Sequence, residues 1–411
     1  MAKPYLISGI DVGNSQVKVV IAKIERDNLK PEIIGLGSAV SNGMRKGIIV
    51  DMEESVKDIK SAIQRAEAMA GVSLKRAYIA VSGLHIKTQT SRGVIAVSRA
   101  DNEISQSDID RVLQAASVVN IPANREIIHV IPRNYIVDGT EYIKNPLGMK
   151  GVRLEAEVFI TDGLSPHLKN LAKCVNESDV EVAGLVFAPL AAALSVLDKG
   201  QREYGVMNLD FGGGTSTLTV FEESELVHAA VLPIGSKHIT NDLAVALRTS
   251  IDIAERIKLE HCSTSDAEDM RRKENLDLSK LIDEENFIVP RKQLIRVVDA
   301  RAHELFDMVN NELKKVSKIS LLPAGIVLSG GGANLPGLAL LAKDKLKLPV
   351  RIARPNGLAE TISDPSYAVS VGLVLWGFDQ ESNNIKTKSS SFVANNDNFK
   401  KFLDWLKNFL P

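Results

Sequence analysis

Asp11 and Asp210 each end a hydrophobic strand and open a glycine-containing turn, and the two segments follow nearly the same pattern. The first, ISGIDVGNSQVKVVI, has Gly13, Asn14 and Ser15 in its turn and Lys18 just beyond. The second, VMNLDFGGGTSTLTVF, has Gly212, Gly213, Gly214 and Thr215. Each then resumes an alternating strand, at Val17–Ile21 and at Leu218–Phe221. Glycines let backbone N–H groups approach a phosphate with no Cβ in the way, and hydroxyls add donors. Carboxylates aimed at the same phosphates would repel them unless a hard cation lies between, which implies Mg²⁺ held largely through water by Asp11 and Asp210. One such hairpin alone is an ordinary turn. Two of them, with Lys18, make a phosphate site, and the internal repeat implies two like-folded halves facing each other across a cleft.

A third glycine cluster lies in AGIVLSGGGANLPGL, where an apolar strand (Ile326–Leu328) runs into Gly330, Gly331 and Gly332 and then a helix start. A strand–glycine–helix element can carry a dinucleotide, but that fold places its glycine turn after the first strand of a βαβ unit, and this one comes late. Close passage of backbone against an adenine ring and α-phosphate fits better. No GxxxxGK[ST] loop occurs, which excludes a P-loop NTPase.

With these residues in place, the chain resembles the actin, sugar-kinase and heat-shock-chaperone superfamily. Its five motifs occur in order: a first phosphate motif (Ile10–Lys18), a first connecting helix (Val186–Leu197), a second phosphate motif (Leu209–Phe221), an adenosine motif (Ile326–Leu338) and a second connecting helix (Asp364–Leu375). The connecting helices are rich in Ala, Ser and Gly, as two helices crossing closely beneath a cleft must be. Neither is long enough in apolar residues to span a bilayer. The resemblance implies an α/β, actin-like two-lobed fold around a nucleotide cleft, with ATP and Mg²⁺ as ligands.

Composition agrees with a large α/β protein. A chain of 411 residues is too long for one core, so two lobes of roughly 100–200 residues are expected. Net charge is −1, which gives no reason to expect nucleic-acid binding. Only Cys174 and Cys262 occur, as a reduced compartment would allow, and the seven histidines lack metal-ligand spacing. The N-terminus enters a strand at once, with no signal peptide expected.

Between the first phosphate motif and the first connecting helix, the segments HIKTQTSRGVIAVS, EISQSDIDRVLQAASVVNIP, REIIHVIPRNYIVDG and NPLGMKGVRLEAEVFI read as β, helix, β, β. Ser107 is the expected N-cap, and Ile109, Val112, Leu113, Ala116 and Val119 recur at helical spacing. IIHVIPRNYIVDG and NPLGMKGVRLE are similar to the inserted subdomain of the bacterial cell-division FtsA family. The similarity runs from Tyr5 to about Trp376 and resumes at the C-terminus.

That C-terminus has its own physics. Gly377–Asn398 is Ser-, Asn- and Lys-rich and reads as a flexible tether. In NFKKFLDWLKNFLP, Phe399, Phe402, Leu403, Trp405, Leu406, Phe409 and Leu410 fall in one arc of about 160°, with Lys400, Lys401 and Lys407 on the opposite arc. A core-docking helix shows the same arc, but the tether, lysines and aromatics favour a helix lying in the interface of an anionic membrane.

The expected organisation is a first lobe of 1–83, 166–197 and about 361–376, with 84–165 inserted. A second lobe of 198–230 and about 305–360 carries an upper subdomain, 231–304. A linker (377–397) and a membrane-targeting helix (398–411) follow. On AERIKLEHC, Glu255 and Lys258 lie one turn apart; the resemblance implies that they reach ribose and adenine. It also implies that the helix Val297–Val309 lies where the family docks the tail of the tubulin-like division protein FtsZ, with Arg301 facing the acidic peptide. Further implied partners are copies of the chain itself in filaments, anionic lipid, and later division proteins at the inserted subdomain, all at the inner face of the cell membrane. Hydrolysing superfamily members place a Gln or Glu near the start of the first connecting helix; Ala188 and Ala191 stand there instead. Slow turnover at most is expected, since water positioning is weakened. Two alternatives remain, an ATPase or kinase of the superfamily and an actin-like pilus-assembly protein. No substrate-binding β-domain supports the first, and the insertion and tail speak against the second.

Overall fold

The computed structural model describes residues 5–25, 30–264, 275–279, 287–316, 322–359 and 362–387. The terminal helix expected at 398–411, with Phe399, Lys400, Lys401, Phe402, Leu403, Trp405, Leu406, Lys407, Phe409 and Leu410, lies outside the described residues.

The internal repeat is a repeat of topology. In the first lobe β1 (Tyr5–Val12), β2 (Gln16–Ile24) and β3 (Glu32–Val40) form an antiparallel meander. A small ribbon, β4 (Met44–Arg45) with β5 (Ile48–Ile49), follows, and then α1 (Met52–Ala70). β6 (Arg76–Val81) and β11 (Glu181–Phe187) add in parallel, giving the order β11-β6-β1-β2-β3. In the second lobe β12 (Val206–Phe211), β13 (Ser216–Glu222) and β14 (Glu225–Leu232) repeat the meander. There β17 (Ile326–Ser329) and β18 (Val350–Ile352) add in parallel, in the order β14-β13-β12-β17-β18. The strands β2 and β13 are buried along almost their whole length, as strands covered on both faces must be.

Beneath the sheets cross α4 (Ala188–Val196) and α10 (Ala368–Thr387). A Cβ on Gly372 would run into the Ala191 carbonyl oxygen, so only glycine permits this backbone contact. Ser195 Oγ donates to the Ala368 carbonyl at 2.7 Å across the same crossing. The polar tether expected from Gly377 onward is corrected at its start, because α10 continues to Thr387. Gly377 lies against Tyr78 and Ile7, and Gln380 is buried. Docking on the first sheet makes a helix of a stretch whose composition reads as linker.

The insertion forms its own four-stranded sheet, β7-β10-β8-β9, from β7 (Lys87–Ala96), β8 (Arg125–Val137), β9 (Thr140–Ile143) and β10 (Arg153–Leu164). Across it lies α2 (Gln106–Ser117), burying Ile109, Val112, Leu113 and Ala116. The N-cap is Ser105, two residues before the expected Ser107: its hydroxyl and Asp108 form a capping box. The short strand β9, absent from the sequence reading, pairs with the end of β8. His129 of β8 accepts the Phe187 N–H at 3.0 Å and so ties the insertion to the root of α4.

α3 (Ser165–Asn176) completes the first lobe's connections, and α5 (Lys199–Tyr204) leads into the second lobe, bonded to the β13–β14 turn. The second lobe's upper part holds α6 (Ser236–Leu247), α7 (Ile251–His261), the pair β15 (Asn275–Asp277) and β16 (Ile288–Pro290), and α8 (Arg291–Leu313). α9 (Leu338–Leu346) follows the third glycine cluster. Among the described residues no helix is long and apolar enough to cross a membrane.

Candidate functional site

The β1–β2 and β12–β13 hairpins meet tip to tip. In the first, Asp11 pairs across the strands with Lys18, and the Gly13 N–H closes the turn on the Gln16 carbonyl at 3.1 Å. In the second, Asp210 pairs with Thr217. A Cβ on Gly213 would strike the Ser15 hydroxyl, and one on Gly214 would lie 2.7 Å from Asn14 Cγ. The glycines of the second tip thus receive the side chains of the first. Behind the tips is a cavity lined by Asp11, Asn14, Asp210, Thr215 and Ala188.

Burial governs the electrostatics. Asp11 is pushed up to about 7, chiefly by desolvation, with Lys18 opposing and Asp210 adding to the rise. Asp210 is pushed up to about 6 by burial, against the Ser329 hydroxyl, which donates at 2.9 Å, and Lys18. Lys18 is drawn below the ordinary lysine value by burial, although Asp11, Asp364 and Asp210 all pull the other way. Its Nζ donates to the Ser366 carbonyl at 2.9 Å and lies 4.9 Å from the Tyr367 ring centre. Lys18 therefore reaches across to the turn before α10 while flanking the acids.

Two neighbouring, half-buried carboxylates with one ammonium beside them favour a hard dication. Among the described residues no third His, Cys, Asp or Glu joins them as a ligand group. The donor set fits Mg²⁺ with water and phosphate oxygens filling its remaining positions.

Gly330, at φ 83°, presses its Cα toward Asp210 and the Phe211 carbonyl, and its N–H donates to Pro365 at 3.0 Å. Gly331 faces open space, with only Ser366 Cβ near, at 3.9 Å. Gly332 packs on the Phe211 ring. The expected helix start here is instead a 3-10 turn, Gly331–Asn334, and α9 begins only at Leu338. Glu255 and Lys258 share one face of α7: Lys258 Nζ donates to Glu255 at 2.7 Å and to Thr240 Oγ1 at 3.0 Å.

Four neighbours of the site escaped the sequence reading. Asn208 and Ser329 form a buried polar chain to Asp210, and Asp364 caps the turn that holds Lys18. Lys237, in the strand–Gly-Ser-Lys–helix string that opens α6, donates from Nζ to the Asn14 carbonyl at 2.7 Å. A lysine following a glycine at a strand-to-helix turn was the available signal.

Ala188 lines the cavity, but Ala191 does not: it faces Gly372 at the helix crossing. Only the first of the two alanines borders the cavity. Arg301, expected to be free for a peptide, is held by Asp242 at 2.8 and 3.0 Å and by Glu304, with 23% of its side chain exposed. The helix that bears it, α8, is 23 residues long, and it buries Leu294, Val298, Leu305 and Phe306.

Two mirrored sheets, crossed connecting helices and facing Asp–Gly hairpins define a two-lobed, actin-like protein. Solved structures agree on the fold: a PilM–PilN type IV pilus biogenesis complex matches with TM-score 0.62 and 16% identity over 90% of this chain and 98% of that one. MreB 5 of Spiroplasma citri bound to AMPPNP matches with TM-score 0.55 and 14% identity over 94% and 100%. The inserted subdomain and the sequence relatives narrow the class. Residues 207–372 match the profile of cell division protein FtsA, and residues 83–161 match the SHS2 domain inserted in FtsA. Cell division protein FtsA of Pseudomonas aeruginosa is 35% identical over 95% of this chain and 94% of its own length. That of Bacillus subtilis is 37% identical over 90% and 82%. That of Escherichia coli is 34% identical over 92% and 91%. The chain belongs to the FtsA family of cell-division proteins.

Proposed function

We propose that the chain is an ATP-binding, self-polymerising adaptor that ties FtsZ filaments to the inner face of the cell membrane during septum assembly. The observation that supports the nucleotide half most strongly is the juxtaposition of the two hairpins, which brings Asp11 and Asp210 together inside a glycine-lined cleft. Mg²⁺ would be held by Asp11 and Asp210, largely through water. The phosphates would be held by the Gly13–Ser15 and Gly212–Thr215 turns, with Gly330–Gly332 beside the adenosine and Glu255 and Lys258 over it. Bound Mg²⁺ would supply charge neutralisation for the phosphate chain. Turnover is slow in this reading, because Ala188 has no group to orient or deprotonate water.

The adaptor half is supported by family membership and by the amphipathic pattern of 398–411. One interfacial helix with three lysines gains about 1 kcal/mol per lysine on anionic lipid, which gives reversible attachment. A filament presenting many such helices stays bound through high effective concentration. An FtsZ tail would dock on the upper second lobe near Val297–Val309; an acidic tail residue reaching Arg301 has to displace Asp242. The inserted subdomain would receive later division proteins. Co-sedimentation with anionic liposomes and FtsZ, with and without the last fourteen residues, tests the whole. The full chain should carry FtsZ into the liposome fraction and the truncated chain should not. Equal flotation of both would remove the membrane role from the tail.

A further inference from the structure

The cleft has two electrical poles. At one end Asp11, Asp210 and Asp364 surround a single ammonium, Lys18. At the other end Lys258 pairs with Glu255 at 2.7 Å, and Lys237 lies within electrostatic reach of both. Lys237 lies in the first turn of α6 with its side chain exposed, so it is not a core element. Its Nζ donates across the cleft to the Asn14 carbonyl at 2.7 Å, and its backbone N–H donates to the Gly213 carbonyl at 2.8 Å. One residue therefore binds both hairpin tips. An ammonium has three donor hydrogens, and this one meets a neutral carbonyl where a neighbouring second ammonium calls for an anion. Partial desolvation, and then Lys258, hold Lys237 below the ordinary lysine value against the pull of Glu255.

We propose that Lys237 is a ligand for the phosphate chain of a nucleoside diphosphate or triphosphate, and that the same ammonium is the latch between the two hairpins. This rests on the nucleotide-binding reading of the cleft. Asp11 and Asp210 would hold a cation at the acidic pole, and the phosphate oxygens take Lys237 from the Asn14 carbonyl. That exchange replaces a hydrogen bond to a neutral acceptor with a stronger one between opposite charges. No covalent bond changes. Because Ser15 packs into Gly213 and Asn14 against Gly214, phosphates entering between the tips must part them. Release of the latch and arrival of the anion are then one event, and the lobes sense the phosphate chain directly.

Titration calorimetry of the full-length protein with Mg·ADP and Mg·ATP tests this on wild type, Lys237→Gln and Lys237→Arg. Loss of a charged hydrogen bond predicts about a tenfold or larger fall in affinity for both nucleotides in Lys237→Gln. Lys237→Arg should recover most of it, because the positive donor remains. Wild-type affinity in Lys237→Gln would overturn the proposal. So would an equal loss in Lys237→Arg, since the residue would then be acting through packing and not charge. If the wild type binds neither nucleotide, the reading of the cleft itself falls and takes the latch with it.

Discussion

The two facing aspartate-and-glycine hairpins share a topology and differ in chemistry. The first opposes its acid with an ammonium, Lys18, and carries Asn14 and Ser15 at its tip. The second opposes its acid with Thr217, backs it with Ser329, and presents three glycines. One hairpin inserts side chains; the other receives them. A duplicated fold has thus become a matched pair: burial raises both acids and Lys18 opposes it at each, while Asp210 adds to the rise only at Asp11 and the Ser329 hydroxyl opposes it only at Asp210.

Removing an acid should break the pair most severely. Asp210→Ala is expected to weaken Mg-nucleotide binding by about a hundredfold, at or above the upper range for disturbing a metal's supporting groups. Unchanged affinity by calorimetry would mean that the cleft is misassigned. The steric half of the comparison predicts a rescue. Gly213→Ala should destabilise the protein by about 1–3 kcal/mol through overpacking against Ser15. Adding Ser15→Gly should return much of that loss, because contacting residues are not additive. Denaturant melts of the double-mutant cycle check this, and strict additivity would show that the tips do not touch in solution.

Titration gives a third test. Asp11 and Asp210 sit above the ordinary 3.8, at about 7 and about 6, so their contribution to stability is complete below about 3.8 and is lost as pH rises through those values. In chelator, the melting temperature of the wild type should fall between pH 4 and 8 more steeply than that of Asp11→Asn/Asp210→Asn, and Mg²⁺ should flatten the slope. Parallel curves would place both acids in water. The smallest effect expected is from Ser329→Ala, about 1 kcal/mol for one hydrogen bond. It should raise the Asp210 carboxyl further and, by keeping that neighbour neutral to higher pH, lower Asp11 slightly, opposite shifts that NMR titration of the two carboxyls would show.

Most of the framework was legible because it is written locally. An Asp–Gly turn between apolar strands states its own geometry, and Gly372 in a small-residue helix announces a close crossing, which Ala191 then supplies. The misreadings arose where distant contacts decide. Gly377–Thr387 is polar in composition but helical, because Gly377 and Gln380 pack onto the first sheet. The cap of α2 moved to Ser105 because Asp108 returns a hydrogen bond there, a reciprocity that either serine could have offered. The pairing of Arg301 with Asp242, on another helix, is likewise a contact that only the fold supplies.

By itself the sequence determined the hairpins, the glycine clusters, the connecting helices, the inserted segment and the family, since backbone conformational demands and hydrophobic periodicity act over a few residues. Tertiary structure alone decided which charges meet. Lys237 and Asn14 are 223 positions apart, and Lys18 and Ser366 are 348 apart. Desolvation at such junctions sets the protonation of Asp11 and Asp210, and burial is a property of the folded surface that no local pattern of residues contains.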